Sequence, residues 1–449
     1  MTIQRRPESR VLLPVLFVVA AWSTFAGCSE QGAERAAKLP ENSTTQEALS
    51  AAVRTAVDQI GDNPELSSFY SSNNYGAVWV DTRGLTGRGE QAVVALKAAG
   101  ARGLRTEDYA VEAGGTNSAA ALAATEVAVS GSFLRFVSDL RWGRHNRGLY
   151  GEKPGPANLL AMAIAADPDG VEAGIEKLEP PFAEYKRLLA ALPRYQQSGT
   201  PEEVAKIELN LERWRQLPRA FSHGPILVNV PEYMARVFDD KLQTVMSMRV
   251  IVGLPQHQTP IFNGEISYLM FGPYWNVPTS ILHKEIIPDI EKDRTYLTRN
   301  SYEVQDQQGK VISNGEVSDE ILAGLKSNEY KIRQVPGAKN ALGRVKFMFP
   351  NDENVYLHDT NNRSLFQKTV RALSHGCVRV EKPQELAEWV LRNETAWPKD
   401  KILAALKQTK QQQANLKQHV PILIVYLTAT ANEAGEVTFH KDIYGRDAQ

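Results

Sequence analysis

Cysteine is almost absent: Cys28 and Cys377 are the two in a chain of 449 residues. So few thiols exclude a disulfide-stapled scaffold, and the fold must rest on packed apolar cores. A dominant charge is missing as well. Lys and Arg total 51 against 52 Asp and Glu, which leaves no long-range field for a polyanion, so nucleic acid is not an expected partner. Neither a phosphate-cradling Gly-Lys-Ser/Thr loop nor a dinucleotide glycine fingerprint occurs. His223, His257, His283, His419 and His440 lack metal-ligand spacing and read as structural. No cofactor and no metal are expected, and no internal repeat is evident.

What is present is the composition of packed protein, 43% apolar and 23% charged, in a chain too long for one ordinary core. Two or more domains are expected. The amino terminus has the layout of an export signal: Arg5, Arg6 and Arg10, an apolar run over residues 11–21 too short to span a bilayer, then small residues before Cys28. Phe25-Ala26-Gly27-Cys28 resembles a bacterial lipobox, with Phe25 an atypical first residue. That resemblance implies a signal peptide with lipobox over residues 1–28 cut just before Cys28, acylation of Cys28 as the new amino terminus, a polar tether over 29–45 and a periplasmic protein anchored by lipid to the outer membrane, since Ser29 rather than Asp follows Cys28. Plain cleavage to a soluble periplasmic protein is the alternative. Export also gives the cysteine count a meaning. Cys377 has no disulfide partner in an oxidising compartment, which favours a working thiol over a buried inert one.

The expected fold class is α+β, a helical scaffold over residues 46–223 followed by a β-rich domain over 224–447. Ala-rich amphipathic segments such as residues 90–99 mark the first part. Its clearest helix starts at Thr200-Pro201-Glu202-Glu203, a capping box with Pro in the first turn, and puts Val204, Ile207, Leu211 and Trp214 on one face before Leu217-Pro218 stops it. His145 with Arg141, Arg144 and Arg147 reads as a solvated basic face, or as a contact for an anionic group. Past His223 the pattern turns to short alternating runs at 226–230, 245–252 and 266–271. A polar segment over 284–344, with a turn at Gln308-Gly309 and a helix over 318–327, interrupts them and reads as an inserted lid subdomain. Helices are expected over 384–391 and 399–413, and a closing hairpin from 420–428 and 436–440.

Chemistry concentrates in Tyr356-Leu357-His358-Asp359-Thr360 and Ser374-His375-Gly376-Cys377-Val378-Arg379. An unassisted thiol is only about 3% thiolate at pH 7, and a positioned imidazole base contributes about 10² to 10⁴ in rate. Gly376 lets backbone approach a substrate carbonyl, and amides around Cys377 could donate to an oxyanion. Spacing alone leaves open whether His358 or His375 is the base.

His358 followed by Ser374-His375-Gly376-Cys377 resembles the signature of YkuD-type L,D-transpeptidases. Residues 207–215, 228–231, 274–278, 340–347 and 442–447 are similar to the large YcbB-like branch, and the resemblance runs over about 69–447. It implies Cys377 as acyl-accepting nucleophile, His358 as its base, and the Asp359 backbone carbonyl as the group orienting the imidazole. His375 would support the site, and Gly376 and Ser374 belong to the same motif. Tyr356 falls where the family has a hydroxyl near the acyl pocket, and Arg379 where relatives carry Asn or Arg. Trp275 and Asn276 would line the groove or serve packing. The branch usually inserts a small peptidoglycan-binding module before the helix that begins here at Glu202, but residues 195–200 run straight into that helix and leave no room for it.

The resemblance further implies attack on the diaminopimelate carbonyl of a peptidoglycan tetrapeptide stem, release of D-alanine, and resolution of the thioester by an amine of a second stem under a water-excluding lid. Water in place of the amine would make a carboxypeptidase, and a lipoprotein lysine an attachment enzyme. Papain-like peptidases place Cys before His, the reverse of the order here. A wall-binding outer-membrane lipoprotein that only holds stems is the rival from another class.

Overall fold

The computed structural model describes residues 45–112, 114–145, 150 and 155–448. The leader, Cys28 and most of the tether lie outside them, as does Arg147.

Helices lead. They are α1 (Gln46–Gln59), α2 (Pro64–Ser72), α3 (Gly87–Lys97), α4 (Ala119–Trp142), α5 (Ala157–Ala165), α6 (Val171–Glu176), α7 (Ala183–Ser198) and α8 (Pro201–Arg215). A small hairpin, β1 (Val80–Asp81) and β2 (Gly84–Leu85), interrupts them. α4 is long and apolar enough to suit a membrane span, yet here it is the central helix of a cluster holding Leu49, Phe69, Trp79, Phe133 and Phe136. A buried carboxylate fastens the hairpin to it. Glu126 accepts from the backbone N–H of Val78, Trp79 and Val80 at 2.8, 2.8 and 3.0 Å and from the Tyr70 hydroxyl at 2.8 Å. Burial pushes its pKa up, against the pull of those donors.

The α8 capping box forms as the sequence dictates. Thr200 Oγ1 accepts from Glu203 N and the Glu203 carboxylate from Thr200 N. Ile207, Leu211 and Trp214 of α8 and Tyr185, Leu188 and Leu192 of α7 are buried against Leu227, Leu423 and Val425 of the strand region.

Strands follow: β3 (Ile226–Asn229), β4 (Met234–Phe238), β5 (Thr244–Gly253), β6 (Phe262–Phe271), β7 (Trp275–Asn276), β8 (Tyr302–Gln305), β9 (Val311–Ser313), β10 (Lys331–Gln334), β11 (Val345–Met348), β12 (Leu357–His358), β13 (Ala372–Ser374), β14 (Val378–Val380), β15 (Gln412–Val425), β16 (Ala429–Ala431) and β17 (Val437–Phe439). The main sheet runs β13-β5-β14-β12-β11-β6-β15-β3-β4, and β4 also pairs with β5, so the sheet closes on itself. Inside lie Val228, Val250, Phe271, Phe347, Leu357, Val378 and Ile422, joined by Leu386 and Val390 of α13 (Pro383–Val390) and Ile402 and Leu406 of α14 (Lys399–Lys407).

Two carboxy-terminal expectations are corrected. The helix expected over 399–413 ends at Lys407, and Gln412 already begins β15. Pairing with β6 overrides the helical leaning of this Gln-rich stretch. β15 is a central strand between β6 and β3 rather than a hairpin arm, and the hairpin is β16 with β17.

Between β6 and β11 rises a subdomain with its own sheet, β7-β10-β8-β9. α9 (Thr279–Ile281), a π turn over Leu282–Ile286, α10 (Ile287–Lys292), α11 (Tyr296–Arg299) and α12 (Asp319–Lys326) pack on it around Ile290, Leu297, Val304, Leu325 and Ile332. The insertion therefore starts before Lys284, because Trp275–Asn276 is already paired to β10.

Candidate active site

Strand register assembles the site. β11 and β12 run antiparallel with Lys346 opposite His358, and β12 and β14 run parallel with His358 opposite Arg379. Leu357 stands opposite Val378, which sets Tyr356 beside Cys377, and Val378 N–H donates to the Tyr356 carbonyl at 3.1 Å. Successive side chains alternate across a strand. Phe347, Leu357, Val378 and Val380 take the core face, so Lys346, Tyr356, His358, Cys377 and Arg379 share the outer one.

His358 is 5% exposed, and its Nδ1–H donates to the Asp359 carbonyl at 2.5 Å. That bond fixes the tautomer and leaves Nε2 with a lone pair. Burial pushes the imidazole pKa down to about 3, helped by the charges of Arg379 and Lys346, so the ring is a neutral base. The Asp359 side chain is clamped in turn. Its buried carboxylate accepts from Arg344 N and Nε, both at 3.0 Å, and from Arg363 Nη1 at 3.0 Å. Gly343 makes room for it: φ there is +63°, and a Cβ would stand 2.5 Å from the Asp359 side chain.

Cys377 is half-buried, with Sγ 3.8 Å from the Asn354 carbonyl. Burial pushes the thiol pKa up, while hydrogen bonding from Tyr356 and the charges of Lys346 and Arg379 pull it down. The resting pair is thus a neutral thiol with a neutral imidazole. The Tyr356 hydroxyl, raised in pKa by burial and by Cys377, stays protonated and can donate to the sulfur as charge develops.

The turn before the thiol is tied from three sides. Ser374 Oγ donates to the Cys377 carbonyl at 2.6 Å and accepts from Gly376 N–H at 3.2 Å. Thr259 Oγ1 donates to the Gly376 carbonyl at 2.8 Å, and Gly376 sits at φ +114°. Behind it the Tyr444 hydroxyl donates to the Gly253 carbonyl at 2.6 Å and accepts from Thr259 N–H at 3.2 Å. The amides on either side of Cys377, those of Gly376 and Val378, are already engaged, which narrows the expected oxyanion donors around the thiol to the amide of Cys377 itself.

His375 points another way. Its Nε2 lies 2.7 Å from Glu285 Oε1 on the π turn of the insertion, and its ring lies tilted against that of His257, 5.0 Å between centroids. Trp275 packs within the insertion, 6.2 Å from the Tyr302 ring, and Asn276, next to it on β7, is exposed. In the basic group around His145, Arg144 pairs with Asp108 at 2.5 Å and the backbone N–H of His145 donates to Glu212. Sequence reasoning missed Lys346, Thr259, Tyr444 and Glu285. A lysine between Val345 and Phe347 in an apolar strand was the one local signal.

Residues 224–403 match the L,D-transpeptidase catalytic domain family, YkuD, and that span contains Lys346, Tyr356, His358, Cys377 and Arg379. The chain carries a YkuD L,D-transpeptidase catalytic domain. Ahead of this L,D-transpeptidase domain, residues 64–192 match the Scaffold domain family. The chain is also similar to a Haemophilus influenzae protein named "Putative L,D-transpeptidase", 28% identical over 434 residues that cover 93% of this chain and 86% of that one. With the transpeptidase domain goes peptidoglycan as the class of substrate.

Proposed function

We propose that the protein is a cysteine acyltransferase that cross-links peptidoglycan stems, with Cys377 as nucleophile and His358 as general base. The observation that carries this reading is the buried imidazole, oriented through Nδ1 by the Asp359 carbonyl, on the same sheet face as the thiol. His358 Nε2 takes the thiol proton as Sγ attacks the diaminopimelate carbonyl of a tetrapeptide stem. The carbon–nitrogen bond then breaks, the leaving nitrogen receives that proton, and D-alanine departs. The acyl group stays on Cys377 as a thioester, which conserves the energy of the broken bond where no ATP is at hand. An amine of a second stem attacks, loses its proton to His358, and the proton returns to sulfur as the carbon–sulfur bond breaks. Tyr356 supports the developing thiolate, and the insertion, touching the site through Glu285 and His375, excludes water.

The organisation that suits this role is a scaffold over 46–223 and a catalytic domain over 224–447, tethered through an acylated Cys28 to the periplasmic face of the outer membrane. Glycan is held by the catalytic groove and insertion, since residues 195–200 run straight into α8 and leave no room there for the module usual in the branch. Intact-protein mass spectrometry of the purified protein with disaccharide tetrapeptide, beside Cys377→Ala, tests the chemistry. An adduct on Cys377 with loss of D-alanine and a dimeric product is expected. An adduct followed only by tripeptide makes it a carboxypeptidase, and no adduct leaves a wall-binding protein. Mass analysis of membrane-extracted protein beside Cys28→Ala tests the anchor.

A further inference from the structure

Cations on the closed sheet and its insertion normally have partners. Arg236 pairs with Glu232, Arg249 with Glu381, Arg344 and Arg363 with Asp359, and Arg333 with Glu303. Lys346 and Arg379 break the pattern. Among the described residues neither meets a carboxylate: the Lys346 ammonium lies 4.0 Å over the Tyr356 ring, and Arg379 Nε is buried without a hydrogen bond. Burial lowers the pKa of both, the sign of charges held out of water. Keeping two such cations costs stability unless a negative charge from elsewhere joins them.

Their placement says which charge. Lys346, His358 and Arg379 stand abreast on three neighbouring strands, and Cys377 lies two residues before Arg379 on the same face, about 7 Å along the strand. A peptide whose reacting carbonyl sits over the thiol carries its next backbone carbonyl carbon about one Cα step, roughly 4 Å, further on. A guanidinium or ammonium reaches the remaining distance with one hydrogen bond of about 2.8 Å. If the leaving residue is the last of its chain, that next group is a carboxylate.

The geometry points to Lys346 and Arg379 as a carboxylate subsite that confines Cys377 to the terminal bond of peptides with a free α-carboxylate on the leaving residue. The inference rests on the acyl-transfer reading for its direction along the substrate, and it separates chain-end exchange from internal cleavage. An internal peptide offers a neutral amide where two positive charges expect an anion, and that mismatch rejects it.

Binding and chemistry are measured apart. Calorimetric titration of Cys377→Ala with disaccharide tetrapeptide and with its terminal carboxamide reads the subsite without any reaction. The free acid is expected to bind about 10- to 100-fold more tightly, the worth of one or two charge-assisted hydrogen bonds. Adding Arg379→Gln or Lys346→Gln should remove most of that preference while leaving carboxamide affinity unchanged, and Arg379→Lys should restore part of it. Equal affinity for acid and carboxamide overturns the proposal. So does an equal loss for both ligands in the variants. It is overturned as well if the same substitutions keep the preference for the acid in the Cys377→Ala background and, made with Cys377 intact, shift only the pH profile of its alkylation, because the cations would then serve the thiolate. Preference for the acid with no acylation of the unmodified protein keeps the subsite and removes the transfer reading instead.

Discussion

Replacing His358 with Gln should make the protein less sensitive to acid, and the size of the effect follows from the burial of the ring. The imidazole pKa falls from 6.5 to about 3 because burial, Arg379 and Lys346 all oppose its charged form. Below 6.5 the unfolded chain takes up a proton at this residue that the folded chain refuses. The contribution is therefore complete above 6.5, and stability is lost as pH falls from 6.5 toward 3. At pH 5, 1.5 units below 6.5, the loss is about 2 kcal/mol at 1.36 kcal/mol per unit. At pH 7.5 it is close to zero. Urea unfolding followed by circular dichroism at both values gives the drop in stability for each protein, and groups other than His358 contribute equally to both. The unmodified protein should lose about 2 kcal/mol more than His358→Gln between the two pH values. Equal drops would refute the argument, since they would mean an imidazole that is solvated or already paired with an anion.

Iodoacetamide should alkylate Cys377 at a rate that still climbs at pH 9, because burial raises the thiol above its ordinary 9.0; a plateau near pH 6 to 7 would reveal a thiolate–imidazolium pair instead. Gly343→Ala, which puts a Cβ into the Asp359 carboxylate at a left-handed φ, should cost about 1–3 kcal/mol and slow acylation, both readable in one preparation by thermal melts and adduct formation. Glu126→Leu strands three backbone donors in the helical core and should lower stability by about 3 kcal/mol or more without touching the site; a melting temperature within a degree of the parent would contradict the role assigned to that carboxylate. Thr200→Ala should cost about 1 kcal/mol and Thr200→Ser almost nothing, as expected of a capping side chain.

Legibility in the sequence followed the range over which each signal acts. The α8 capping box is local, so Thr200 and Glu203 could be read directly, and the order of helices before strands follows from periodicity. The thiol and its histidine stood out because a motif carries them in two short segments. Lys346 has no such signal. It joins the site only because β11 pairs with β12 in one particular register, and a slip of one residue would turn its side chain into the core. Thr259 reaches Gly376, and Tyr444 backs Thr259, from segments far away in sequence, and Glu285 reaches His375 from the insertion. The polar start of β15 reads as helix until β6 is beside it, and Trp275 reads equally as groove or packing until the insertion's own cluster is assembled around it.

The neck of the insertion has a consequence for how such a protein can change. Phe271 and Val345 are paired neighbours on adjacent antiparallel strands, Gly272 N–H donates to the Arg344 carbonyl at 2.9 Å, and the buried Asn340 side chain ties off Pro273 at 2.9 Å. To the closed sheet, the whole intervening segment is a hairpin turn of unusual length. A cassette with its own apolar core can be lengthened, trimmed or exchanged at that turn without disturbing the strand register that sets Lys346, His358 and Arg379 abreast. The cassette and the strands that carry the reacting residues are thereby separable parts, and graft experiments between relatives can exchange one while holding the other fixed.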